Sequence, residues 1–202
     1  MISMGEEVLH SREIKLRLID MEYQGLSGEE LKKEIQRLYV EEYGEKLPAD
    51  IDIFSSSEAN SLEGGKSGYD GTAIHFKSKE NGIDEVYIIS QGSQGGEDWE
   101  YNIKAMLAGQ DIGQAEATDK FVSEAKKRFG AGDSTSMIGL SHSLAHNNNT
   151  TAHLLYDTFD QVYSVNGAQT NFYQIYNNKK AVGLDRTGVF FRFDLFRRTT
   201  LQ

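Results

Sequence analysis

Residues 136–153, SMIGLSHSLAHNNNTTAH, constrain the fold more than any other stretch. The uncharged apolar run Met137-Ile138-Gly139-Leu140 reads as a buried strand. The polar, helix-compatible residues from Ala145 onward read as a helix. Between them stands Ser141-His142-Ser143-Leu144-Ala145. A strand that turns sharply into a helix strains the backbone at the tip, so the residues two before and two after it must be small. Around Ser143 these are Ser141 and Ala145; around Ser141 they are Gly139 and Ser143. Such a turn presents a serine hydroxyl as a nucleophile elbow, although neither spelling is the full G-x-S-x-G. The same small residues also suit a plain strand-to-helix turn.

The 202 residues are enough for one domain with a sizeable core, and 38% apolar residues suit a globular chain. A net charge of −10 that no basic cluster offsets argues against nucleic acid and against attraction to anionic lipid headgroups. The absence of cysteine excludes disulfides, thiolate metal sites and cysteine nucleophiles. Residues 1–20 carry Glu6, Glu7, Arg12, Glu13, Lys15 and Arg17 and no apolar run of signal-peptide type, so the default expectation is a cytoplasmic protein. No stretch approaches the roughly 18 apolar residues of a membrane span.

Along the chain, Leu9, Ile14, Leu16, Leu18 and Ile19 suit a short helix with Gly25 as its stop. Ser27-Gly28-Glu29-Glu30 spells a capping box, and Leu31, Ile35, Leu38 and Tyr39 recur at helical spacing, so the pattern predicts an amphipathic helix over 28–43. Gly64, Gly65, Gly68 and Gly71 mark a Ser/Gly-rich loop whose order matches neither G-x-G-x-x-G nor the full phosphate-binding loop. Residues 72–76 and 86–89 are strand candidates joined through Asn81-Gly82, and His75 reads as a strand-face residue. Ala117, Phe121, Ala125 and Phe129 line one face of a helix over 115–129, which Gly130 ends. Residues 162–166 and 189–193 are further strand candidates. The organisation read from this is an N-terminal helical segment and loop over 1–69 and a core over 70–202, together one compact domain.

The second strand of the pair leads into Gly92-Ser93, then Asp98-Trp99 and Tyr101-Asn102. With the Ser143 turn, this order resembles the class 3 lipases, whose loop reads F-R-G-T followed by D-W and whose elbow reads G-H-S-L-G. Here Ser90-Gln91 replaces Phe-Arg and Ser93 replaces threonine. The resemblance covers about residues 70 to 170, and Gly167-Ala168-Gln169 matches the turn after the next strand except for a usual proline. It implies an α/β fold, an α/β-hydrolase-like sheet flanked by helices. It also implies Ser143 as nucleophile, backbone amides of Ser93 and Leu144 as the oxyanion hole, and a structural role for Asp98 and Trp99. The implied substrate is a small-molecule or lipid carboxylic ester, with neither metal nor organic cofactor required.

The rest of the catalytic set is harder to place. The family's acid follows a strand, which favours Asp194 over Asp185, and its base histidine comes later still. The histidines here are His10, His75, His142, His146 and His153. None occupies that position, so the chain reads as a C-terminally incomplete copy. Two alternatives are a catalytically dead module that binds through the same pocket and an enzyme using His142 or His146 as an unorthodox base. A non-enzymatic interaction module docking through helix 28–43 is a further possibility.

Overall fold

The computed structural model describes residues 7–26, 28–59, 69–91, 113–142 and 145–165. The strands are β1 (Asp50–Ser55), β2 (Asp70–Ser78), β3 (Ile83–Gln91), β4 (Ser136–His142) and β5 (Gln161–Val165). They form one sheet in sequence order. The pairs β1–β2 and β2–β3 are antiparallel, whereas β3–β4 and β4–β5 are parallel. Residues 79–82 close the β2–β3 hairpin, with Gly82 at φ +67° where a side chain would be strained. Parallel neighbours cannot be joined by a tight turn. Helices α3 (Gly113–Phe129) and α4 (Ala145–Tyr156) lie on the two crossovers. Both crossovers step the same way across the sheet, which places α3 and α4 on one face. The chain is therefore mixed α/β, a five-strand sheet flanked by helices.

Strand alternation sorts the core into two layers. Ala73, Val86, Ile88 and Met137 meet Phe121, Val122, Ala125 and Ala152 on the α3–α4 face. Ile74, Phe76, Tyr87, Ile89, Ile138 and Leu140 meet α1 (Arg12–Tyr23) and α2 (Gly28–Tyr43) on the other. The helix expected over 28–43 is α2. Its Leu31, Ile35, Leu38 and Tyr39 are buried in the core, so this face is not a free docking surface. Ser27 of the expected capping box lies outside the described residues. β1 falls within the 1–69 segment and was not expected: Ile51 and Ile53 pack on the core while exposed Asp50 and Asp52 alternate with them. No helix among the described residues is long and apolar enough to cross a membrane.

The N-terminal segment is tied to the sheet by buried polar groups. The backbone amide of Val8 donates to both Glu85 carboxylate oxygens, at 3.1 and 3.0 Å, and the Tyr87 hydroxyl donates to Glu85 at 2.9 Å. Lys15 pairs with Glu7 and sits 3.8 Å over the Tyr163 ring, whose hydroxyl donates to Glu7 at 2.8 Å. Burial, then the bond to Glu7, pushes the Tyr163 hydroxyl up to about 12. Burial also raises the Glu85 carboxyl above its ordinary value, against the opposing bonds from Tyr87 and Val8. A carboxyl whose folded pKa exceeds its unfolded value binds the proton more tightly in the folded state. Its contribution is therefore full below the unfolded pKa and lost as pH rises through the folded one. Glu85→Gln is expected to remove that loss. Urea midpoints of wild type and variant should then diverge in the variant's favour between acidic and neutral pH, and parallel midpoints would contradict this.

Gly139 lets α4 approach β4. A Cβ there would lie 3.2 Å from Asn149 Nδ2 and 3.4 Å from the Phe159 ring. Gly139→Val is expected to cost about 2 kcal/mol by overpacking, measurable as a urea midpoint shift; an unchanged midpoint would mean that α4 is free to withdraw.

Candidate functional site

The topology gathers the carboxyl ends of β3, β4 and β5: Ser90 stands opposite Ser141, and His142 opposite Val165. In open α/β sheets this is where ligands bind. β4 ends at His142 and α4 starts at Ala145, so Ser143 and Leu144 alone join strand to helix. Gly92-Ser93 follows directly on Gln91, the last residue of the adjacent β3. Ser143, Leu144, Ser93, Asp98, Trp99, Asp185 and Asp194 themselves lie outside the described residues, as does the strand expected over 189–193. The other spelling of the turn does not suit its surroundings. Ser141 is a fully buried member of β4, and its hydroxyl donates to the Tyr163 carbonyl at 3.4 Å.

Beneath this end of the sheet runs a buried polar layer. Ser90 Oγ donates to Asn149 Oδ1 at 2.7 Å, and Asn149 Nδ2 donates to the Leu140 carbonyl at 3.3 Å. The Tyr69 hydroxyl stands 3.1 Å from Ser90 Oγ. Ser90 is 1% exposed and Asn149 0%. Gly71 makes room for Tyr69, since a Cβ there would lie 2.7 Å from its hydroxyl and 2.8 Å from the Ile89 carbonyl. Asn148 Nδ2 donates to Gln114 Oε1 at 3.0 Å, joining α4 to the first turn of α3. A buried amide in this setting is costly unless its donors and acceptors are satisfied. Asn149 uses both ends of its amide on the two strands that carry the candidate loops.

The topology also sorts the histidines. His75 lies on β2 opposite Val86, which pairs with Met137 at the start of β4. It is buried against Phe129 and bonded to Asp84 at 2.7 Å, in keeping with a strand-face role. The His10 ring lies tilted against Tyr43, 4.5 Å between centroids, next to Leu9, whose amide donates to Tyr87 at 3.4 Å. His153 sits in the last turn of α4, roughly 12 Å of helix rise from Ala145. These three lie away from the Ser143 end. His142 and the backbone of His146 lie at it. His142 shares with Leu16, Ile19, Asp20 and Val165 the wall of a cavity of about 340 Å³ between α1 and the ends of β4 and β5. Among the described residues, no group of three His, Asp or Glu side chains could hold a metal ion.

The polar layer was not anticipated from the sequence. Its only signal there is Asn147-Asn148-Asn149-Thr150-Thr151 in a helix that must lie against a sheet, where apolar residues are the norm.

A family profile described as a domain of unknown function (DUF6792) matches residues 13–185. An uncharacterised protein of Bacillus subtilis (strain 168), YvcB, is 38% identical over 192 residues, which cover 85% of this chain and 30% of that protein. The chain thus spans less than a third of the length of that relative. No solved structure matches it.

Proposed function

The chain belongs to the DUF6792 family, and from that premise we propose that it is a serine hydrolase of α/β-hydrolase type, similar to the class 3 lipases, that acts on carboxylic esters. The observation that supports this most is the joint at the sheet's carboxyl end. Two residues connect β4 to α4, small residues flank Ser143, and the neighbouring β3 leads into Gly92-Ser93. On this reading the Ser143 hydroxyl attacks the ester carbonyl and the amides of Leu144 and Ser93 hold the oxyanion. The alcohol leaves, and water then releases the acid from Ser143. Asp194 is the acid by resemblance alone. For the base, His142 and His146 are the histidines that the topology brings to this end.

The test is hydrolysis of a series of acyl esters, short and long, by purified protein. Saturable release of acid from at least one chain length is the expected result. A folded protein inert toward the whole series would overturn the reading. It would favour the alternative of a hydrolase-fold binding module, to which the remote positions of His10, His75 and His153 already lend weight.

A further inference from the structure

We infer that Ser90 and Asn149 act as a positioning pair that fixes the loop after β3 relative to the turn after β4. The inference rests on the hydrolase reading and extends it to two residues that no motif marks. A two-part oxyanion hole needs its amides at a set separation, and here they would come from different strands: Ser93, three residues beyond Ser90, and Leu144, four beyond Leu140. Ladder hydrogen bonds hold β3 to β4 up to the Ser90–Ser141 pair. At this last stretch of the ladder Asn149 adds a side-chain constraint from behind. Its carbonyl takes the Ser90 hydroxyl at 2.7 Å while its amino group holds the Leu140 carbonyl at 3.3 Å. One fully buried side chain on the helix that follows the turn therefore grips both strands at their carboxyl ends. Its carbonyl and amino groups meet a donor and an acceptor respectively, so the amide has one sensible orientation. Gly139 and Gly71 leave the room that this grip and the supporting Tyr69 occupy. A side chain serving α4 packing alone would be apolar. An amide joined to two strands sets a register between them, and displacements near 1 Å at a reacting centre cost up to about a hundredfold in rate.

The test uses the whole chain and two variants, with folding of each checked by circular dichroism under assay conditions. Ser90→Ala removes the link to β3 and leaves the Asn149–Leu140 bond. It is expected to lower kcat for ester hydrolysis and the rate of fluorophosphonate labelling about tenfold or more, with KM within about twofold of wild type. Asn149→Asp gives a pH readout. A protonated carboxylic acid can accept from Ser90 and donate to Leu140 as the amide does, whereas the carboxylate has no proton for Leu140. Activity relative to wild type is expected to rise as pH falls. An active wild type with Ser90→Ala at full kcat, or Asn149→Asp tracking the wild-type pH profile, would overturn the positioning role and leave the hydrolase reading standing. A folded wild type that neither hydrolyses esters nor takes the probe would overturn both.

Discussion

Replacing Ser143 by alanine is expected to lower ester hydrolysis at least about a thousandfold while leaving the fold intact. The magnitude follows from its role. A nucleophile's oxygen forms the acyl bond itself, and what survives its removal is the residual effect of the oxyanion hole and binding. The expectation of an intact fold follows from position. Ser143 stands in the two-residue joint between β4 and α4, and the helix beyond it is held by Asn149, Asn148 and Gly139 without its help. The comparison variant is Ser141→Ala. Ser141 is buried in β4 and bonded to the Tyr163 carbonyl, so its loss should lower stability by about 1 kcal/mol and leave turnover largely unchanged. Kinetics and urea unfolding on both variants separate the two serines. A Ser141→Ala protein that is inactive beside an active Ser143→Ala protein would mean that the tip of the elbow lies two residues earlier.

The second large effect is structural. Phe121→Ala is expected to destabilise the domain by about 4 kcal/mol. Phe121 is fully buried at the centre of the α3–α4 layer. Its ring stacks on Phe54 of β1 at 5.4 Å and 11°, and lies 5.5 Å from Tyr69. Removing it leaves a cavity between α3 and the sheet and undercuts Tyr69, the outer support of Ser90. Phe121→Leu keeps most of the volume and should cost about 1 kcal/mol. Urea denaturation of the three proteins measures the difference. A loss below about 1 kcal/mol for the alanine variant would contradict close packing of α3 on the sheet.

Local signals were legible where one element satisfied its own rule. The apolar face of α2 was plain because Leu31, Ile35, Leu38 and Tyr39 repeat at helical spacing. The β2–β3 hairpin was plain because a turn glycine separates two β-branched runs. The helix ending at Phe129 was equally clear from its basic last turn and Gly130. β1 was missed because its strand, DIDIFS, is one-third aspartate, a residue depleted in strands. Its charges make sense only once it is known to be the sheet edge, where they discourage further pairing.

The polar layer was out of reach for a different reason. Ser90 and Asn149 are 59 residues apart, and Tyr163 and Glu7 are 156 apart. Neither partner looks unusual alone, and only the folded chain shows that each answers the other's buried polar group. The candidate turn was visible from its small residues. The resemblance to the class 3 lipases chose Ser143 over Ser141; β4 includes Ser141 and ends at His142, before Ser143.

The most direct test of the central claim is intact mass after incubation with a fluorophosphonate probe, run on wild type and Ser143→Ala. Such a probe adds to a serine whose proton is being taken by a base. A single addition on the wild type and none on Ser143→Ala is the expected result. It would establish Ser143 as an activated nucleophile with its base inside these 202 residues. No addition to folded wild-type protein, or an equal addition to both proteins, would contradict the hydrolase account of this chain.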